Sequence, residues 1–256
     1  MEKIMGKIMA LIRMCIPDIL FRICYKMYGW IFLLLHRTYF KNNRFSIKFR
    51  NVYMYIHDKS DKTDFDAHYV FHPAWAARII AKNTPSKHVD IASTVNFASM
   101  LSAFVPVDFY EYQPSGLHLS NLTEKFADLY ALPFADNSQV SLSCMHVVEH
   151  IGLGRYGDPI DADGDIKAAK ELSRVLAFGG TLLFVVPVGK PRLCFNAHRI
   201  YSYEMILNMF PELTLKSFSL IDDQKNFNID CDPAFVADQV YGCGCFEFTK
   251  NEAVSL

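Results

Sequence analysis

No stretch of this 256-residue chain is long and apolar enough to cross a membrane unaided, none of its seven cysteines forms a CxxC pair, and no stripe of Lys and Arg runs along its body. Each absence removes a class of protein. A span needs about 20 uninterrupted apolar residues, and the longest clean run here is Met27 to Leu35. Cys15, Cys24, Cys144, Cys194, Cys231, Cys243 and Cys245 are odd in number, and nothing at the start has the pattern of a cleavable signal peptide. Free thiols in a reducing, cytoplasmic compartment are therefore expected. Cys243-Gly-Cys245 together with Cys231 resembles part of a metal site, but the spacing does not fit a zinc knuckle and no His lies close in sequence. Buried strand cysteines and no metal are the expectation. Without a basic stripe or a reading motif, no nucleic-acid partner is expected either.

Half of the residues are hydrophobic and a fifth are charged, the composition of an ordinary globular domain with some extra chain. The charge is unevenly placed. Residues 1 to 50 hold ten Lys or Arg against only Glu2 and Asp18, an excess of eight positive charges, whereas the remaining chain is acidic. In that basic head Ile4, Ile8, Leu11, Ile12, Cys15, Ile19, Ile23, Met27, Ile31 and Leu34 recur at steps of three or four, the period of an amphipathic helix that Pro17 should restart or kink. Residues 1–60 thus form a helical head. Three readings of it stand: a helix in the interface of an anionic membrane through residues 1–40, at the inner surface; a helix packed on the body or a partner; and a tilted span with snorkelling cations.

From about residue 65 to 250 strand and helix signals alternate, the pattern of a parallel sheet covered on both faces. A helix is predicted over His72–Lys82, a strand at Val89-Asp90-Ile91, a helix over Asn96–Phe104 and a strand over Val107–Tyr112. A loose segment rich in Leu, Ser and Asn follows, then a strand at Val140–Met145, a helix at Ile166–Leu176 and a strand at Thr181–Val186. A helix near Tyr203–Met209 and strands at Leu213–Leu220 and Tyr241–Lys250 close the order. The expectation is a doubly wound, Rossmann-like, mostly parallel seven-stranded sheet whose last strand is antiparallel. Ligands of such sheets sit beyond the carboxyl ends of the strands. Asp90 in the first strand, Glu111 at the end of the second and Asp128 before the fourth stand there in order. A carboxylate ending the second strand can accept both hydroxyls of an adenosine ribose, and Asp128 can accept from an adenine amino group.

Asp128-Leu-Tyr-Ala-Leu-Pro-Phe, Cys144-Met-His-Val-Val-Glu149-His150-Ile, Arg174-Val-Leu-Ala-Phe-Gly-Gly180 and Val186-Pro187 resemble the successive later motifs of class I S-adenosylmethionine-dependent methyltransferases. Glu149-His-Ile-Gly-Leu-Gly-Arg-Tyr-Gly-Asp158 with Asn196-Ala-His-Arg-Ile-Tyr201 is similar, more narrowly, to the methyltransferase-like proteins of the domain-of-unknown-function 268 family. The resemblance runs from about residue 68 to 249. It implies S-adenosyl-L-methionine as cofactor, held by Asp90, Ala92, Ser93, Glu111, Asp128 and Leu129. The family's first motif, Asp-x-Gly-x-Gly-x-Gly, is here Asp90-Ile-Ala92-Ser-Thr94-Val-Asn96, with every glycine replaced. Ala is a small change, Asn tolerates a left-handed backbone and β-branched Thr94 resists one. Two functions follow, an enzyme or a non-catalytic methyltransferase-like scaffold.

Methyl transfer needs alignment, and a base only when the acceptor is a hydroxyl or a protonated amine. His146, Glu149, His150 and His198 are the candidate catalytic residues, and Arg155, Asp158, Asn196 and Arg199 the candidate substrate-binding ones. A small-molecule or glycan acceptor is the implied partner, the sugar preference coming from the family resemblance. Gly152-Leu-Gly154-Arg-Tyr-Gly157 matches a dinucleotide fingerprint by letter, but neither the strand nor the small-residue helix that the fingerprint needs flanks it. Asp161, Asp163 and Asp165 lack the glycine and glutamate of a calcium loop and are expected to form a polar turn.

Overall fold

The structure is a computed structural model and describes residues 18–36, 49–53, 55 and 62–251. The chain divides into two compact units, Met1–Asp64 and Phe65–Leu256. In the first, helix α1 (Asp18–His36) opens where a restart after Pro17 is expected. Ile23, Met27, Ile31 and Leu34 form a stripe along it and are each about half exposed. The expected apolar positions from Ile4 to Cys15 lie outside the described residues. Among the described residues no helix is long and apolar enough to cross a membrane.

The second unit is built on a sheet of eight strands: β1 (His88–Ile91), β2 (Val107–Glu111), β3 (Leu122–Phe126), β4 (Gln139–Met145), β5 (Leu176–Val188), β8 (Leu213–Ile221), β9 (Phe227–Asn228) and β10 (Gly242–Lys250). Their order is β3-β2-β1-β4-β5-β10-β8-β9. β1 to β5 are mutually parallel, and β10 runs antiparallel between β5 and β8. This is the expected doubly wound sheet with an antiparallel last strand. The eighth strand is the two-residue β9, too short to show alternation. A separate hairpin pairs β6 (Arg192–Cys194) with β7 (His198–Ile200).

Side chains alternate between the two faces, and that alternation makes two cores. Leu142 and Cys144 of β4, Leu182, Phe184 and Val186 of β5, and Phe246 and Phe248 of β10 pack on one face. They meet Ala168, Ala169 and Leu172 of α4 (Gly164–Val175) and Ile206 and Met209 of α5 (Tyr203–Met209). Met145, Leu183, Val185, Cys243 and Cys245 point to the other face. There they meet Trp75, Ala76 and Ile80 of α2 (Ala67–Asn83) and Phe97, Ala98 and Leu101 of α3 (Val95–Leu101).

Two differences from the expected elements have plain causes. β3 lies in the segment expected to be loose, because it is an edge strand with only Leu122 buried and shows no alternation. α2 begins five residues before the expected His72, capped by Asp66 at the Tyr69 amide (3.3 Å), and runs through Pro73, a residue that ordinarily marks a first turn. The early start brings His68 and Tyr69 to the end of the sheet.

Candidate active site

Strand order reverses between β1 and β4, so the chain departs to opposite sides of them and opens a crevice at their carboxyl ends. A cavity of about 720 Å³ occupies it, large enough for a nucleoside-sized molecule and an acceptor. Its residues come from the ends of β1, β2, β3 and β4, the loop after β4, the β6–β7 turn, Tyr69 of α2 and Tyr241.

On one side stand Ala92, Ser93, Glu111, Asp128 and Leu129. Ala92 holds φ +55, so the backbone keeps a left-handed turn where the resembled motif has glycine. Thr94 escapes that demand: it is extended and caps α3, its hydroxyl accepting from the Phe97 amide at 3.1 Å. Beneath the turn Asp90 is fully buried and does not line the cavity. Its carboxylate accepts from the Ser93 amide at 3.0 Å and from the Ser143 hydroxyl. Burial raises it from the ordinary 3.8 to about 6 against the pull of those hydrogen bonds. Ser143 also meets His88 Nε2 (2.8 Å), whose Nδ1 meets Ser141 (2.7 Å). Since the Ser143 proton goes to Asp90, His88 donates from Nε2 and accepts from Ser141 at Nδ1, which makes it neutral. Burial holds His88 at about 3. The network anchors the turn from below. Glu111 Oε1 accepts from the Tyr112 and Gln113 amides, 2.9 and 3.4 Å away, and burial raises this carboxyl. Asp128 caps its own loop at the Tyr130 amide, 2.9 Å away.

The other side holds His146, Glu149, His150, Arg155, Asp158 and His198, with Tyr69, Tyr156 and Tyr241. His146 ends β4 with φ +57, an uncommon conformation for a non-glycine residue. Its Nδ1 lies 2.9 Å from Oε1 of Glu149, whose side chain is buried and whose Oε2 meets no hydrogen-bond partner. His150 Nε2 approaches the same Oε1 at 3.7 Å, and its Nδ1 lies 2.6 Å from the Ala197 carbonyl. Arg155 also donates to that carbonyl, at 3.0 Å. Burial and neighbouring His150 lower His198, whose ring lies 5.2 Å from that of Tyr241. Asp158 accepts from the Gly152 and Tyr156 amides at 2.7 and 3.2 Å and so closes the loop after β4. Gly152 has φ +80 there, and a Cβ on it would lie 2.1 Å from the Asp161 carbonyl oxygen, so the glycines shape a loop.

The cavity therefore gathers Ala92, Ser93, Glu111, Asp128, Leu129, His146, Glu149, His150, His198, Arg155 and Asp158. Asp90 lies under it. Asn196 is exposed on the β6–β7 turn, outside the lining. Arg199 also lies outside: it donates to the Ile151 and Ala162 carbonyls at 2.6 and 3.1 Å and pairs with Asp165 at 3.5 Å, tying β7 to the loop before α4.

The family model described as "Caenorhabditis protein of unknown function, DUF268" matches residues 96–231, over half of the chain. The chain belongs to the DUF268 family. Among solved structures, the N-methyltransferase NodS from Bradyrhizobium japonicum WM9, in complex with S-adenosyl-L-homocysteine, is similar at 13% identity and TM-score 0.51, over 71% of this chain and 86% of that one. The 1,6-didemethyltoxoflavin-N1-methyltransferase of Burkholderia thailandensis, with 1,6-didemethyltoxoflavin and S-adenosylhomocysteine bound, is similar at 10% identity and TM-score 0.51, over 71% and 79%. Likeness at such identity establishes the fold, that of the class I methyltransferases. No curated protein matches the chain by sequence.

The DUF268 cavity has wall residues that the sequence reading left out: Tyr69, Tyr156 and Tyr241. Behind them His68 stacks on Tyr241 and on His146, with ring centres 5.2 and 5.6 Å apart. Asp66 before an apolar run was the available signal for the early helix and hence for His68 and Tyr69. Nothing local marks Tyr241, which arrives through the antiparallel β10.

Proposed function

We propose that this DUF268 domain binds S-adenosyl-L-methionine and transfers its methyl group to an oxygen or nitrogen of a small polar or glycan-type acceptor. The observation that carries the reading is one wall of the switch-point cavity, where Ala92, in a left-handed turn, and the carboxylates of Glu111 and Asp128 stand in order at the ends of β1, β2 and β3. Glu111 would accept the ribose hydroxyls, Asp128 and the Leu129 backbone would flank the adenine, and Ala92 and Ser93 would admit the amino-acid portion. When bound, the cofactor supplies a methyl group on a sulfonium, whose thioether leaves without a proton. The residues here then need to orient the acceptor and take its proton. Glu149, His150 and His198 face the opposite wall for that task, and Glu149 fixes the tautomer of His146. Arg155 offers a cation for an acidic group on the acceptor, and Asp158 holds its loop in shape.

The conformations of Ala92 and Thr94 support binding over the scaffold reading, because the loop keeps its turn without glycine. The exposed stripe of α1 and the positive excess of residues 1–50 support a second part of the proposal, peripheral contact of residues 1–40 with the anionic inner surface of a membrane. Incubation with methyl-labelled S-adenosylmethionine and a panel of amino, hydroxyl and phosphorylated sugars tests the catalytic part. Labelled product that disappears in His198→Ala is expected. Cofactor binding without transfer to any hydroxyl or amine would return the scaffold reading.

A further inference from the structure

Three side chains meet beside the cavity, and methyl transfer assigns no part to two of them: His68 in the first turn of α2 and Cys243 in β10, with His146 just after β4 between them. Their ligand atoms all lie within 4.8 Å of one another, and His146 Nε2 is 3.4 Å from Cys243 Sγ. With zinc–nitrogen bonds of about 2.0–2.1 Å and zinc–sulfur bonds of about 2.3 Å, a tetrahedral centre places such a nitrogen and sulfur about 3.6 Å apart. The observed pair lies close to that separation, and the third ligand atom is within 4.8 Å of both.

The surroundings are those of metal ligands. A metal-bound imidazole donates its other N–H to a carboxylate or a carbonyl, which fixes its tautomer. His146 does so to Glu149 at 2.9 Å, which leaves Nε2 with its lone pair toward the thiol. The His68 ring is held by stacking on His146 and on Tyr241, with ring centres 5.6 and 5.2 Å away. Next to them His72 is wholly buried, its Nδ1 bound to the His68 carbonyl at 2.6 Å and its Nε2 without a partner, and its ring meets that of His146 edge-on at 5.0 Å. A thiol, an imidazole and a carboxylate in line also have the order of a nucleophilic triad. Against that reading, Cys243 is fully buried and does not line the cavity.

We propose that His68, His146 and the thiolate of Cys243 bind one zinc ion, with its fourth position toward the cavity. Two imidazoles and one thiolate suit zinc, and three protein ligands with an open position mark a centre that binds an exogenous oxygen or nitrogen. The thiol proton leaves to solvent on binding, so uptake releases acid. His146, Tyr69 and Tyr241 line the cavity, so the open position is reached from the acceptor side. Activation of an acceptor hydroxyl there rests on the methyltransferase reading; the zinc site itself does not.

The 256-residue chain, stripped with a chelator, is titrated with zinc in competition with a chromophoric chelator, and in parallel with cobalt to read thiolate-to-metal absorption. One equivalent is expected, with that absorption. Cys243→Ala should abolish the absorption, and His68→Gln should lower zinc affinity roughly 100-fold or more, since loss of an outer partner alone costs 10–100-fold. Cys231→Ser should leave both unchanged. His68 is only partly buried, so its variant keeps the test alive if Cys243→Ala fails to fold. Absence of stoichiometric binding, or binding indifferent to both variants, overturns the site. S-adenosylhomocysteine affinity of the same stripped sample reports separately on the cofactor reading.

Discussion

The two walls of the cavity are built by different means. The wall at β1, β2 and β3 consists of residues at or just after the ends of their strands, each tied by a hydrogen bond between neighbours one to three residues apart: Ser93 amide to Asp90, Tyr112 amide to Glu111, Tyr130 amide to Asp128. The opposite wall brings His68 and Tyr69, His146 to His150, Arg155, His198 and Tyr241 from five separate stretches, and rings and long-range contacts hold it. Local construction suits a part shared across a fold, while long-range construction lets chemistry vary without disturbing the sheet.

The largest effect should come from the long-range wall. His150→Ala or His198→Ala is expected to lower turnover roughly 100-fold or more while cofactor affinity stays within a few-fold, the signature of a role in positioning or proton transfer. Kinetics with both substrates varied would show it, and equal loss of cofactor affinity would erase the division between the walls. Next in size, Glu111→Ala should weaken cofactor binding by about 1.5–3 kcal/mol, the loss of charged hydrogen bonds to buried hydroxyls. Turnover at saturating cofactor should change much less.

A smaller effect concerns the titratable groups packed behind the two walls. Burial lowers His88 to about 3 and His68 to about 4, from an ordinary 6.5. Their folded values lie below their unfolded ones, so the stability they contribute is complete above about 6.5 and is lost as the pH falls toward 4 and 3. Asp90 opposes them: raised from 3.8 to about 6, it stabilises most below 3.8, and that contribution is lost as pH rises through 6. Two imidazoles outweigh one carboxyl, so the urea midpoint should drop between about pH 6.5 and 4. A midpoint that rises over that range would contradict imidazoles held neutral in the folded chain. The smallest change is Ala92→Gly, which relieves a left-handed alanine at φ +55 but frees the unfolded chain. A net gain of about 0.5–1 kcal/mol is expected in denaturant unfolding, with cofactor affinity kept.

How far the sequence was legible follows the same division. Period-two and period-3.6 patterns located the principal elements except β3, whose single buried residue leaves no pattern, and β6, β7 and β9, whose two or three residues are too few to show one. Glu111, Asp128 and Leu129 could be placed because position along a strand decides whether a residue reaches the crevice. The aromatic wall could not, since Tyr241 and His68 meet through the antiparallel return of β10 and an early helix start. Cys243 shows the cost most clearly: no His stands near it in sequence, yet the fold sets His146 and His68 beside it. Arg199 was expected at the substrate because of its charge; it instead meets backbone carbonyls, a pairing that no sequence pattern marks.

Calorimetric titration of the 256-residue chain with S-adenosylhomocysteine tests the central claim most directly. One site with micromolar affinity, of the order of −8 kcal/mol, is expected, weakened by about 1.5–3 kcal/mol in Glu111→Ala. No heat at millimolar ligand, or equal affinity in the variant, would contradict it.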